Sequence, residues 1–137
     1  MNSTTIPIIR YKNAKKAMSW FCEIIGFEIF LEVPGNNNNV EHARLVLGSN
    51  MIMLASLDRN GEFETKFKAP QIVQGVTQCT SIVVNNPAVI YDRALAAGVK
   101  IIQELEKFEF GGETFICEDI ESHVWVITSH DPWKKLW

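Results

Sequence analysis

The chain predicts an α+β fold of two tandem βαβββ modules whose strands curl into a mixed sheet around a concave cleft. Three observations carry this expectation. Eight short stretches alternate apolar and polar residues or run apolar for a strand's length. Two stretches instead place apolar residues three and four positions apart, as a helix with one buried stripe does. The order strand, Asn-capped helix, Gly stop, strand, loop, hairpin then occurs twice: Asn13 and Asn86 lie 73 positions apart, and Gly26 and Gly98 lie 72 apart. A near-constant offset over several elements is the mark of an internal duplication. One helix covers one face of its module's sheet, so the other face must curl around a ligand or pack against its copy.

The elements follow in order. Thr4–Tyr11 is β-branched and apolar, with Pro7 suiting an edge or a strand end. Asn13 caps a helix whose stripe is Ala14, Ala17, Met18, Phe21 and Ile25, and Gly26 supplies a left-handed stop. Phe27–Val33 is a strand, followed by a solvated Pro-Gly-Asn loop. Val40–Leu47 and Met51–Ala55 form a hairpin across Gly48-Ser49-Asn50. Alternation puts Ala43, Leu45 and Leu47 on one face and His42, Arg44 and Val46 on the other. The segment 57–76 carries little pattern and reads as a linker or lid anchored by Phe63 and Phe67. The second module repeats the plan: strand Cys79–Val84, helix from Asn86-Pro87 with the stripe Ile90, Tyr91, Ala94 and Leu95, stop at Gly98, and strand Val99–Leu105. A hairpin follows, with strands Thr114–Glu118 and His123–Ser129. The boundaries are therefore 4–56 for module one, 57–76 for the linker, 77–129 for module two and 130–137 for a tail carrying Trp133 and Trp137.

Composition excludes several classes. The 137 residues suit one domain built of two small modules, and 47% hydrophobic with 21% charged residues is ordinary for a soluble globular chain. A net charge of −3 and a pI near 5.6 lack the basic footprint that nucleic acid requires. The apolar runs are too short to span a bilayer. Met1-Asn-Ser-Thr-Thr does not open a signal peptide. Cys22, Cys79 and Cys117 are odd in number and form no CxxC pair, which predicts a reducing cytoplasm rather than a disulfide framework or structural zinc.

The duplicated plan resembles the vicinal oxygen chelate superfamily of glyoxalases, bleomycin-resistance proteins, fosfomycin-resistance proteins and extradiol dioxygenases. Three stretches carry the likeness, which runs from about Ile6 to Ser129. Tyr11–Phe27 (YKNAKKAMSWFCEIIGF) is similar to the family's opening helix, with the aromatic pair Trp20-Phe21 before a Gly-Phe stop. Glu41–Ser56 (EHARLVLGSNMIMLAS) and Asp119–Ile127 (DIESHVWVI) resemble hairpins of the PhnB-like branch. The resemblance implies the glyoxalase/bleomycin-resistance/dioxygenase fold and leaves the activity open, because one fold hosts many functions.

Metal-dependent members hold one divalent ion with His, Glu or Gln on the first strand, the first hairpin and their repeats. Carried onto this chain, those places fall on Ile6, Arg44, Cys79 and Val126, with Ile8, Ser81 and Val124 as neighbours. Apolar side chains cannot ligate a metal, and an arginine repels one. The expectation is no metal and no other cofactor. The residues named for ligand contact are His42, Arg44, Cys79, Ser81, Val126 and Phe110. His42 and Arg44 can receive a carboxylate or phosphate, or else form a solvated or dimer-contact face. Cys79 is either a packed thiol or a nucleophile activated by a cation. Two functions follow. One is a metal-free binder of a small amphipathic or aromatic molecule, acting as a homodimer. The alternative is a metal-dependent lyase, isomerase, thiol transferase or dioxygenase of the same superfamily.

Overall fold

The structure is a computed structural model and describes residues 2–109 and 111–134. Two compact units make up the chain, Met1–Gln74 and Gly75–Trp137. Each holds a four-stranded mixed sheet with one principal helix, as the duplicated pattern predicts.

In the first unit the strands are β1 (Ile8–Tyr11), β2 (Glu28–Pro34), β3 (Val40–Leu47) and β4 (Asn50–Ser56), in the order β1-β4-β3-β2. β1 runs parallel to β4, and the other pairs are antiparallel. Only a crossover can join parallel neighbours, and helix α1 (Ala14–Trp20) begins that connection. Asn13 starts it by accepting the Lys16 N–H on its Oδ1 at 3.1 Å. The helix widens into a π-helical turn over Phe21–Ile25, with both Gly26 N–H and Phe27 N–H donating to the Phe21 carbonyl. Gly26, at φ 106°, then ends it. The turn puts the Phe21 ring edge-on to Tyr11, Trp20 and Phe27 at 6.3, 5.0 and 5.6 Å. These rings pack with Ala17, Met18, Leu45 and Leu54 as the core on the helix side of the sheet. Burying each such large apolar side chain stabilises the unit by about 2 kcal/mol.

The second unit contains β5 (Thr80–Val83), α3 (Pro87–Ala96), β6 (Ile101–Lys107), β7 (Glu113–Glu118) and β8 (Val124–Thr128), in the order β5-β8-β7-β6. A short helix α2, Pro70–Val73, precedes it in the chain. Its core is Ile82, Ile90, Ala94, Phe115, Trp125 and Ile127. Two expectations are corrected here. Leu95, which the spacing places in the buried stripe, is 51% exposed, because α3 turns only Pro87, Ile90 and Ala94 fully inward. Cys79 lies before β5 rather than in it, and it is exposed.

Candidate functional site

β-strand alternation divides each sheet into a helix-covered face and an outer face. On the first sheet, Ile9, Tyr11, Ala43, Leu45 and Leu54 take the helix side. The ladder then sets the outer face: Ile8 stands beside Met53, Met53 beside Arg44, and Arg44 beside Leu31. Two residues further along β1 stands Arg10, beside Ala55, and His42 lies beside Val33.

Arg10 has the most elaborate surroundings. It is 8% exposed, and its Nε and Nη2 donate to both carboxylate oxygens of Glu64 at 2.8 and 2.9 Å. Glu64 begins a single 3₁₀ turn in the otherwise irregular segment that follows β4, and its side chain is also only 8% exposed. The Arg10 guanidinium lies over the rings of Phe67 and Phe63, 4.6 and 5.9 Å from their centroids. Those two rings meet edge-on at 5.1 Å. The segment read as a linker or lid thus reaches back to the sheet of its own unit through an ion pair and two aromatic rings. The charge-assisted bond from Arg10 holds the Glu64 carboxyl below its ordinary range, against the opposing effect of partial burial.

His42 and Arg44 form a second pair. Arg44 Nε donates to His42 Nε2 at 3.0 Å, so that nitrogen carries no proton. Burial lowers the His42 pKa, and the positive charges of Arg44, Arg10 and Arg59 lower it further. Arg59 itself donates to the Glu41 carboxylate at 2.8 Å and to the Glu41 carbonyl at 2.9 Å. The outer face of the first sheet is therefore cationic, with apolar neighbours in Ile8, Leu31, Val33 and Met53.

On the second sheet Ser81 and Val126 are ladder neighbours on the outer face. Phe110 lies outside the described residues. The sequence pattern does not single out Arg10 or Glu64. A single arginine inside an apolar strand is a signal that could have found Arg10, whereas nothing local marks Glu64, 54 positions away.

The register also clarifies the metal question. Ile8 pairs with Met53 as Ser81 pairs with Val126, so the place matching Val126 in the first unit is Met53 in β4, not Arg44 in β3. None of these four side chains is a His, Glu or Gln. His42 meanwhile spends its free lone pair on Arg44 and sits among cations. Among the described residues, no three His, Cys, Asp or Glu side chains gather as a metal site would require. The donor set does not fit the divalent ion that metal-dependent members hold.

The buried carboxylate of Asp119 holds its own turn. Asp119 Oδ1 accepts the backbone N–H of Glu121 and His123 at 2.9 and 3.1 Å, and Oδ2 accepts Trp125 Nε1–H at 3.0 Å. Among the described residues no helix is long and apolar enough to cross a membrane.

Solved structures of the same fold include TioX from Micromonospora sp. ML1, with a TM-score of 0.71, 23% identity, and coverage of 95% of this chain and 100% of that one. UcmS2 matches at a TM-score of 0.72 and 19% identity, with the same coverages. The fosfomycin resistance protein FosX from Listeria monocytogenes, solved with Mn(II) and sulfate, matches at a TM-score of 0.69 and 13% identity, covering 100% of this chain and 99% of that one. No curated protein sequence matches the chain. The sequence pattern that defines the Glyoxalase/Bleomycin resistance protein/Dioxygenase superfamily matches residues 2–127, nearly the whole length, and the chain belongs to that superfamily.

Proposed function

We propose that this protein is a metal-free binder of a small amphipathic or aromatic molecule. The observation that carries the reading is the outer face of the first sheet. Its cations are Arg10 and Arg44, its rings Phe63 and Phe67, and its apolar floor includes Ile8 and Met53, with no divalent-ion ligands at the strand positions where relatives use them. Such a surface suits a ligand that is apolar over most of its area and carries a group for the guanidinium to grip. Within the second unit, Ser81 and Val126 on the outer face of its own sheet, with Cys79 and Phe110, are further candidate ligand contacts. The local likeness to the PhnB-like branch is consistent with this reading and does not name the ligand.

The working form is a homodimer. Edge strand β2 is exposed along its whole length, with Phe30 65% and Ile29 49% accessible, and exposed apolar edges favour association. The three thiols are unpaired, which agrees with a cytoplasmic setting.

The test has two parts. Protein purified without chelator should contain no stoichiometric metal, and Ni, Zn, Mn or Mg should not raise its melting temperature. One metal per chain, or strong stabilisation by one ion, would sink this reading in favour of the metal-dependent enzyme. In fluorescence titration with the amphipathic anion 8-anilinonaphthalene-1-sulfonate, Arg44→Ala should weaken binding about ten-fold, as losing a charge-assisted bond predicts. Unchanged affinity would remove Arg44 from the site.

A further inference from the structure

Three guanidinium groups and two carboxylates gather at the first sheet, Glu41 from the end of β3, and the match is uneven. Glu41 takes Arg59. Glu64 takes Arg10 through both oxygens, and it lies 3.5 Å from Arg59 as well. Arg44 is half-buried and has no carboxylate partner among the described residues; its one hydrogen bond goes to a neutral histidine. One positive charge is left over, on a guanidinium whose Nη groups are uncommitted.

Resting on the binder reading above, we propose that Glu64 is an internal stand-in for the ligand's acidic group. A singly charged aromatic anion bridges Arg44 and Arg10, displaces Glu64, and releases the stretch 60–67 of the strap. Arg10 and Arg44 stand on strands two places apart, a lateral separation of about 10 Å that two long side chains can close around one anion. The exchange is close to balanced. Arg10 trades one anionic acceptor for another, Glu64 recovers its hydration, and the Nη groups of Arg44 gain an acceptor, while the net charge of the cluster is unchanged. A buried ion pair contributes little net stability, because desolvating both partners offsets their attraction, so a rival anion has little to overcome. The start of the strap stays held, by the Leu57 N–H on the Tyr11 carbonyl and by Arg59 on Glu41, and Glu64 ties down the stretch 60–67 beyond it. Its regular structure is the turn Glu64–Lys66, and its rings Phe63 and Phe67 rest on the same Arg10. Phe63 is 58% exposed and offers its ring to the apolar part of the ligand.

The test compares 8-anilinonaphthalene-1-sulfonate with its uncharged analogue N-phenyl-1-naphthylamine on the wild type and on Glu64→Gln. Glutamine keeps the shape and one acceptor for Arg10 but lacks the charge, so the variant should fold. The expected result is that Glu64→Gln binds the sulfonate about ten-fold more tightly, with the uncharged analogue changed by less than two-fold. Trypsin should cut wild-type protein at Lys66 and Lys68 faster when the sulfonate is bound. Equal or weaker sulfonate binding by Glu64→Gln, or a strap protected by the sulfonate, would overturn the exchange. If both dyes bind the wild type and the substitution changes neither, the exchange fails while the binder reading stands. If neither dye binds either protein, both fall together.

Discussion

At the scale of single residues, burial sorts chemically similar groups into different roles. The three thiols illustrate it. Cys117 sits in the core of the second unit, where burial and the charges of Asp119 and Glu118 push its pKa up to about 12. Cys22 is half-buried, and burial with Glu23 and Glu28 raises its pKa too. Cys79 is exposed. Because the thiolate is the reactive form, iodoacetamide at pH 8 should label Cys79 first, Cys22 more slowly and Cys117 only on unfolding. Peptide mass spectrometry checks the order, and early labelling of Cys117 would contradict its packing. Sequence alone offered Cys79 as either packed or reactive, since one residue of strand length decided which. The same limit applies to Arg10. Its place on β1 was readable from alternation, but its two aromatic neighbours and its carboxylate partner come from a segment with no pattern.

Among the elements, the hairpin β7–β8 owes its turn to one side chain. Asp119 gathers two backbone N–H groups and the indole N–H of Trp125, which is itself buried in the core. Removing an acceptor strands those donors away from water, and each stranded donor costs about 1–3 kcal/mol. Asp119→Ala should therefore lose about 3 kcal/mol in urea unfolding; a loss below about 1 kcal/mol would mean that the turn holds without it. The aspartate and tryptophan were legible as a motif, and their bond was not, since it needs a turn geometry that includes Ser122 at φ 72°. Helix α1 makes a similar point. Its cap and stop follow from Asn13 and Gly26, whereas the π-helical turn between them, which carries Phe21 against three other rings, has no local signal in the sequence.

For the molecule as a whole, the duplication conserves the plan and separates the chemistry. Superposing the two ladders by their pairings sets Arg10 against Val83, Arg44 against Ile116 and His42 against Thr114. The cationic outer face thus belongs to the first unit, and its titration should show in global stability. Both His42 and Glu64 hold protons less readily when folded. The unfolded chain takes up more protons as pH falls, first through the ordinary histidine value of 6.5 and then through the ordinary carboxylate value of 4.5. The stability these groups contribute is complete above pH 6.5 and is lost in two steps below it. Melting temperatures against pH should show His42→Gln removing the upper step and Glu64→Gln the lower one. A profile unchanged by both substitutions would contradict the arrangement.

By itself, the sequence determined the eight strands, the two helices with the Asn13 cap of the first, their duplication and the superfamily, because periodicity, caps and stops act within a few residues; Asn86 stands at the start of the second helix without a side-chain cap bond. It also placed His42 and Arg44 on one face, since alternation is local. Tertiary structure alone decided that Arg10 and Glu64, 54 positions apart, share a buried bidentate bond, and that Arg44 has no carboxylate partner among the described residues. Such pairings depend on where an irregular segment returns to its sheet, and chain periodicity carries no record of that.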